Sequence, residues 1–330
     1  MDLETLKKAQ KEAFQMIENS FSNQKLSHAY IFEGDAGVMK LDAALFFAAK
    51  VLCHETVTPC MECKNCKRII NQTHPNLYTV KLKKSEIVKN DIKALQSEFS
   101  KTALEAGPKI YIIESAERMN AYAQNALLKF LEEPTSETYA LLLSDDATHL
   151  LPTIQSRSQR IPFHPINEDL IEDALSQLGY ERHQSRLASR MRPTIEDAKA
   201  LLDSTDLESL IDDVNTVYEA YADGKSLLIA FHETLDPVLN QKEMVDVLID
   251  VFIHYQKDII YGKINNRNHI VFADSINAIE RIMERTTLKT LTKHLEKMLQ
   301  IKIRQRNYIN MRLAFDNLLI AMEKGDSHGT

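Results

Sequence analysis

Hydrophobic residues in the first half of the chain fall into short continuous runs, separated by longer amphipathic stretches. The runs are HAYIF (28–32), NLYTVKL (76–82), KIYIIES (109–115) and TYALLLS (138–144). Short apolar and β-branched runs of this kind are expected of strands buried on both faces. Between them LDAALFFAAKVL, DIKALQSEFSKTAL and NAYAQNALLKFLEE carry apolar residues at helical spacing. Asp91 and Asn120 are placed to cap the last two. The alternation predicts a parallel sheet flanked by helices, with ligands at the carboxyl ends of its strands.

After Pro162 and Pro165 the strand pattern stops. Residues 167–203 read as three short helices, NEDLIEDALSQLG, HQSRLASRM and PTIEDAKALLD, with Pro193 suited to the first turn of the third. From Leu207 onward long amphipathic helices dominate, with a break near YGKINNRNHI (261–270). The pattern therefore divides the chain into an α/β domain (1–165), a small helical unit (166–205) and a helical C-terminal domain (206–330).

Composition narrows the class. A chain of 330 residues, 44% of them apolar, can bury two or three cores, and eight glycines with no tryptophan fit a helix-rich protein. The start is acidic and amphipathic rather than basic and then apolar, which argues against a signal peptide. No apolar run approaches the roughly 20 residues that span a bilayer. A cytoplasmic protein without a membrane partner is the expectation. The net charge of −7 argues against gripping phosphate backbones as the main task. Lys81, Lys83, Lys84 and Lys89 (VKLKKSEIVKN) could still make nonspecific phosphate contacts, or simply form a solvated strand edge.

Cys53, Cys60, Cys63 and Cys66 form C-x6-C-x2-C-x2-C, interrupting the domain between a helix and the next strand. Thiolates three apart on a tight turn can converge on one ion, with Cys53 supplying the fourth corner. Four thiolates suit tetrahedral Zn²⁺, and a site that uses all its ligands is structural. Lys64, Lys67 and Arg68 would partly offset its negative charge. A redox C-x-x-C or a set of free thiols are the alternatives, and His54 or His74 could replace one ligand.

FEGDAGVMKL (32–41) resembles a phosphate-binding loop that has lost two working parts. Gly34, Gly37 and Lys40 are in place, but the pattern G-x-x-x-x-G-K-[ST] wants glycine and a hydroxyl where Met39 and Leu41 stand. Leu41 cannot ligate magnesium, and Met39 puts bulk where glycine allows special backbone angles and close approach. The matching acidic strand ends in Glu114-Ser115-Ala116-Glu117 rather than in aspartate followed by glutamate. Glu114 is one methylene too long, and Ser115 cannot act as a general base. Both halves of a hydrolytic apparatus are impaired, so the loop is expected to be catalytically silent. A plain strand–turn–helix with a solvated Lys40 is the other reading.

NALLKFLEEP (125–134) and SRSQR (156–160), together with the loop and the knuckle, resemble the clamp-loader branch of the AAA+ ATPases along the whole chain. The resemblance implies an α/β AAA+ P-loop domain with an inserted zinc knuckle (53–66), a small helical lid and an all-α C-terminal collar domain. It implies a non-hydrolysing subunit of the bacterial DNA polymerase III clamp loader. The implied partners are the tau/gamma ATPase subunits and the delta subunit, with the sliding clamp and primer-template DNA reached through the assembly. A Ser-Arg-Cys motif in this family delivers its arginine to the neighbouring subunit's ATP site. Here it reads Ser156-Arg157-Ser158, which assigns the trans finger to Arg157, with Arg160 as runner-up. The family's lid sensor arginine has only Arg192 nearby, a poor match that is not assigned. The collar-facing segment matches NYINMRLAFDNLLIAM (307–322), a pattern that the core of a helical bundle also explains. Two other functions stay in view: an active ATPase subunit of the same complex, and a zinc-stapled nucleic-acid-binding module.

Overall fold

The computed structural model describes residues 3–82, 85–100, 107–132, 137–266, 269–305 and 310–326. Lys83, Lys84, Glu133, Pro134 and residues 101–104, 267–268 and 307–309 of the quoted motifs lie outside them. Two compact units emerge, Met1–Leu170 and Ile171–Thr330.

The first unit is a five-stranded parallel sheet with helices on both faces. Its strands are β1 (Ala29–Glu33), β2 (Leu77–Val80), β3 (Lys109–Ile113), β4 (Thr138–Ser144) and β5 (Gln159–Pro162), in the order β2-β3-β4-β1-β5. The helices are α1 (Leu3–Ala9), α2 (Lys11–Ser22), α3 (Lys40–Leu52), α4 (Lys64–Ile70), α5 (Lys89–Ser100), α6 (Ala121–Glu132) and α7 (Pro152–Gln155). The four apolar runs are strands, with β1, β3 and β4 buried on both sides and β2, at one sheet edge, partly buried. Tyr30, Phe32, Ile110, Ile112, Leu141 and Leu143 join a core with α1–α4, while Ala29, Ile31, Tyr111, Ile113, Ala140 and Leu142 face α5 and α6. Two-sided burial removes the polar alternation of a half-exposed strand, which is why the runs read as continuous.

The fifth strand departs from the sequence reading, which ends the strands with β4. Gln159–Pro162 pairs in parallel with β1 at the sheet edge. One free edge leaves room for Gln159, Arg160 and a proline, so the segment carries little of the usual strand signal. The Asn120 side chain caps α6 as expected, accepting the Ala123 N–H at 3.0 Å. Asp91 instead lies inside the first turn of α5, where its Oδ2 accepts the Val88 N–H at 2.9 Å.

The second unit is helical: α8 (Glu168–Gln177), which begins just before it, then α9 (Arg182–Met191), α10 (Ile195–Ser204), α11 (Leu207–Ala222), α12 (Leu227–Thr234), α13 (Lys242–Lys263), α14 (Ile276–Arg285), α15 (Leu288–Gln305) and α16 (Met311–Asp326). Pro193 stands just outside α10, not in its first turn; Thr194 is the cap, accepting the Asp197 N–H at 2.9 Å. Helix α13 is buried around most of its girth, with Leu248, Val251, Phe252, Tyr255 and Ile259 in the core and Asp250, His254, Gln256 and Asp258 buried among them. Tyr255 stacks on Tyr218 of α11 at 3.9 Å between ring centroids. Phe315, Leu318, Leu319 and Met322 of α16 are buried in the unit's own core. Among the described residues no helix is long and apolar enough to cross a membrane.

Candidate functional site

The carboxyl ends of β1, β3 and β4 lie side by side, and the degenerate loop leaves β1 there. Gly34 donates its N–H to Ser144 O at 3.2 Å. A Cβ on Gly34 would meet the Phe163 carbonyl oxygen at 2.3 Å, so this glycine is required by close approach. Met39, the residue before α3, keeps a left-handed backbone (φ 62°, ψ 28°). The conformation that favours glycine has therefore persisted without it, at a cost of roughly 1–2 kcal/mol.

Lys40 is not solvated. Its Nζ donates to the carbonyl oxygens of Gly34 and, at 3.0 Å, Asp35, and it lies 2.6 Å from Asp145 Oδ1. An ammonium has three protons, and all three have acceptors within this chain. On β3, burial pushes the Glu114 carboxyl above the usual range, partly offset by Lys81 at 3.9 Å. Ser115 follows in a left-handed conformation with φ 52°. Glu117 is occupied in accepting the Asp145 N–H at 3.2 Å.

The strings NALLKFLEEP and SRSQR meet in space. Arg157, just past α7, lies 2.9 Å from Glu132 Oε1 at the end of α6 and donates to Thr153 O at 3.2 Å. Its side chain is 39% exposed. Ser158, standing where the family motif has cysteine, donates to Ile154 O at 2.9 Å, so its hydroxyl is satisfied within α7. Arg160 differs from Arg157 in its setting. Its guanidinium is tied through two nitrogens to Glu33 Oε2 of the neighbouring strand, and Glu33 Oε1 accepts the Ala147 N–H at 3.0 Å.

Sequence reasoning missed Gln124. Buried in α6, it donates to Met119 O at 3.0 Å and His149 O at 3.1 Å, and accepts the Leu151 N–H at 2.7 Å. One amide thus fixes the approach to α7 and, with it, the root of Arg157. A glutamine amid apolar residues in a helical run is the only signal the sequence offers for it.

The four cysteine sulfurs lie within 4.8 Å of one another. Cys53 ends α3, Cys63 caps α4 and Cys66 sits in its first turn. The Cys53–Cys60 and Cys60–Cys66 sulfur separations are 3.7 and 3.9 Å. A tetrahedron with Zn–S bonds of about 2.3 Å has edges of about 3.8 Å, so the set fits a tetrahedral ion. N–H groups of Cys63 and Glu62 lower the Cys60 thiol to about 7, while burial pushes the Cys66 thiol up. His54 is exposed, and His74 is buried with its Nδ1 accepting the Asn76 N–H at 3.1 Å. Neither joins the cluster.

In the second unit, Arg192 donates to Asp250 Oδ2 at 3.1 Å, and Lys302 pairs with the same carboxylate. Its guanidinium is committed to the packing of α13.

Two family models match, described as DNA polymerase III, delta subunit (residues 9–167) and DNA polymerase III, delta subunit, C terminal (residues 234–324). The DNA polymerase III subunit delta' of Bacillus subtilis is 34% identical over 318 residues, covering 96% of this chain and 97% of that one. The chain belongs to the delta-prime family of DNA polymerase III subunits. The Pseudomonas aeruginosa delta' subunit is 39% identical over 135 residues, 40% of this chain and 41% of that protein. Among solved structures, a DNA polymerase III gamma subunit-related protein of Thermotoga maritima aligns over 94% of this chain and 99% of its own, with 16% identity and a TM-score of 0.41. As a delta-prime family member the chain is a clamp-loader subunit of DNA polymerase III.

Proposed function

We propose that this delta-prime chain is a non-hydrolysing member of the clamp loader, lending Arg157 to the ATP site of a neighbouring tau/gamma subunit. The observation that carries the reading is the unequal fate of two cations. Lys40 is enclosed by three acceptors of its own chain, and Arg157 offers a half-exposed guanidinium beyond a short helix. Leu41 has no hydroxyl for magnesium, and Ser115 cannot activate water. A guanidinium delivered in trans neutralises charge on the transferring γ-phosphoryl group and is worth about 10³–10⁵ in rate. Arg160 suits the task less, because Glu33 already holds it.

Zn²⁺ on Cys53, Cys60, Cys63 and Cys66 acts as a structural staple between α3 and α4. The fit of the sulfur spacing supports it, and four thiolates leave no position for water. Residues 166–205 serve as the lid, and 206–330 as the collar that joins this chain to the tau/gamma and delta subunits. Through that assembly the chain helps to open the sliding clamp and close it on primer-template DNA. The experiment is the DNA- and clamp-stimulated ATPase of the reconstituted loader, wild type against Arg157→Ala, with the isolated chain as blank. An inactive blank and a large loss in the assembled variant are expected. An active blank, or a variant that assembles and runs at full rate, would overturn the reading.

A further inference from the structure

An ammonium at a phosphate loop can be answered by a ligand phosphate or by an acid of the chain itself. The acid at the end of β3 does not serve here: Glu114 lies against Lys81. The carboxylate that reaches Lys40 is Asp145, the first residue past β4. The sheet order makes this possible. β4 lies between β1 and β3, so its carboxyl end opens beside the loop leaving β1, and the Gly34 N–H donates to Ser144 O. Glu117 then braces the turn by accepting the Asp145 N–H.

We infer that Asp145 is a built-in counter-anion that occupies Lys40 and keeps the loop closed to diphosphate and triphosphate groups. This rests on the reading of the loop as silent and deepens it. Leu41 removes the magnesium ligand, which spoils hydrolysis but does not bar a metal-free diphosphate. Met39 retains the left-handed turn into α3. What stands against an anion is the occupied ammonium. Asp145 is 51% exposed against 10% for Lys40, so the carboxylate can be removed without opening the core. At the same strand end the buried Ser144 hydroxyl has no hydrogen-bond partner among the described residues.

The test is titration of the full-length chain with inorganic pyrophosphate and with ADP, without magnesium, by calorimetry. Wild type, Asp145→Ala, Asp145→Asn and Asp145→Ala with Lys40→Ala are compared, and the proteins are also assayed for ATP turnover. Both single variants should bind at least tenfold more tightly than wild type, with binding weakened by salt, and the double variant should lose the gain. Should Asp145→Ala fail to melt cooperatively, Asp145→Asn, which keeps the shape and drops the charge, decides. No gain in a folded variant, or equal binding by wild type without turnover, overturns the counter-anion and leaves the silent loop standing. ATP turnover by wild type overturns both.

Discussion

Lys40 and Arg157 are both cations on the first unit, and their surroundings differ in kind. Lys40 is 90% covered and meets two carbonyl oxygens and a carboxylate of its own chain. Arg157 keeps 39% of its side chain exposed and rests on Glu132, itself 48% exposed. An exposed ion pair is worth about 0–1 kcal/mol, so Arg157 can exchange its partner at little cost. Lys40 would have to give up a saturated shell. The proposed division of labour, a retired site of its own and service to a neighbour's, rests on that difference and on place: Lys40 follows the carboxyl end of the inner strand β1, whereas Arg157 stands before the amino end of the edge strand β5.

The comparison can be broken most forcefully at Arg157. Arg157→Lys keeps the charge but loses the planar fork that addresses Glu132 and Thr153 together. Turnover at the adjacent ATP site should fall on the order of 10²-fold in a single-turnover assay of the assembled loader. Near-normal turnover would reduce Arg157 to a point charge.

Metal removal tests the Lys40 side of the comparison, since the cysteine cluster closes the far end of α3. Elemental analysis should give one zinc per chain. Stripping it should lower the melting temperature of the first unit on the order of 10 °C, with zinc restoring it. An unchanged melt after complete removal would contradict a structural staple.

Gln124 tests how Arg157 is aimed. Gln124→Ala leaves the Leu151 N–H and the Met119 and His149 carbonyls without their partner, costing about 1–3 kcal/mol in denaturant unfolding. Loader ATPase should fall as well, whereas an unaffected rate at the predicted stability loss would detach this clamp from the arginine.

The smallest effect is expected from pH, in the second unit. Burial holds His254 down to about 3, with Lys257, Arg190 and Lys302 adding to it. Its stabilising share is present above its ordinary 6.5 and is lost as pH falls toward 3. Burial raises Asp258 to about 7 despite N–H bonds from Phe272 and Val271. Its share is present below 3.8 and is lost as pH rises through 7. Between about pH 4 and 6.5 the two slopes oppose each other, each at most about 1.4 kcal/mol per pH unit. Wild-type stability should be nearly flat there. His254→Gln should make the unit more stable as pH falls, and Asp258→Asn less stable; matching slopes in the two variants would refute the pairing.

Much of the fold was legible because two-sided burial writes itself as apolar runs and helical faces as regular spacing. The cysteine cluster was legible because its four thiols are close in sequence. What escaped depends on contacts between distant segments. Asp145 meets Lys40 across 105 positions, and Glu33 meets Arg160 across 127. No local pattern marks either pair. β5 escaped for the opposite reason: an edge strand asks so little of its residues that Gln159–Pro162 carries no strand signature. Gln124 looked like one polar residue on a helix, and only the three backbone groups around it make it a clamp.

The most direct test measures the two cations together. Loaders are assembled with Lys40→Ala and with Arg157→Ala in this subunit, and clamp- and DNA-stimulated ATPase is compared at equal assembly. The account predicts that Lys40→Ala runs at nearly the wild-type rate while Arg157→Ala loses most of the activity. The reverse ranking, with Lys40→Ala crippled and Arg157→Ala unaffected, would contradict it.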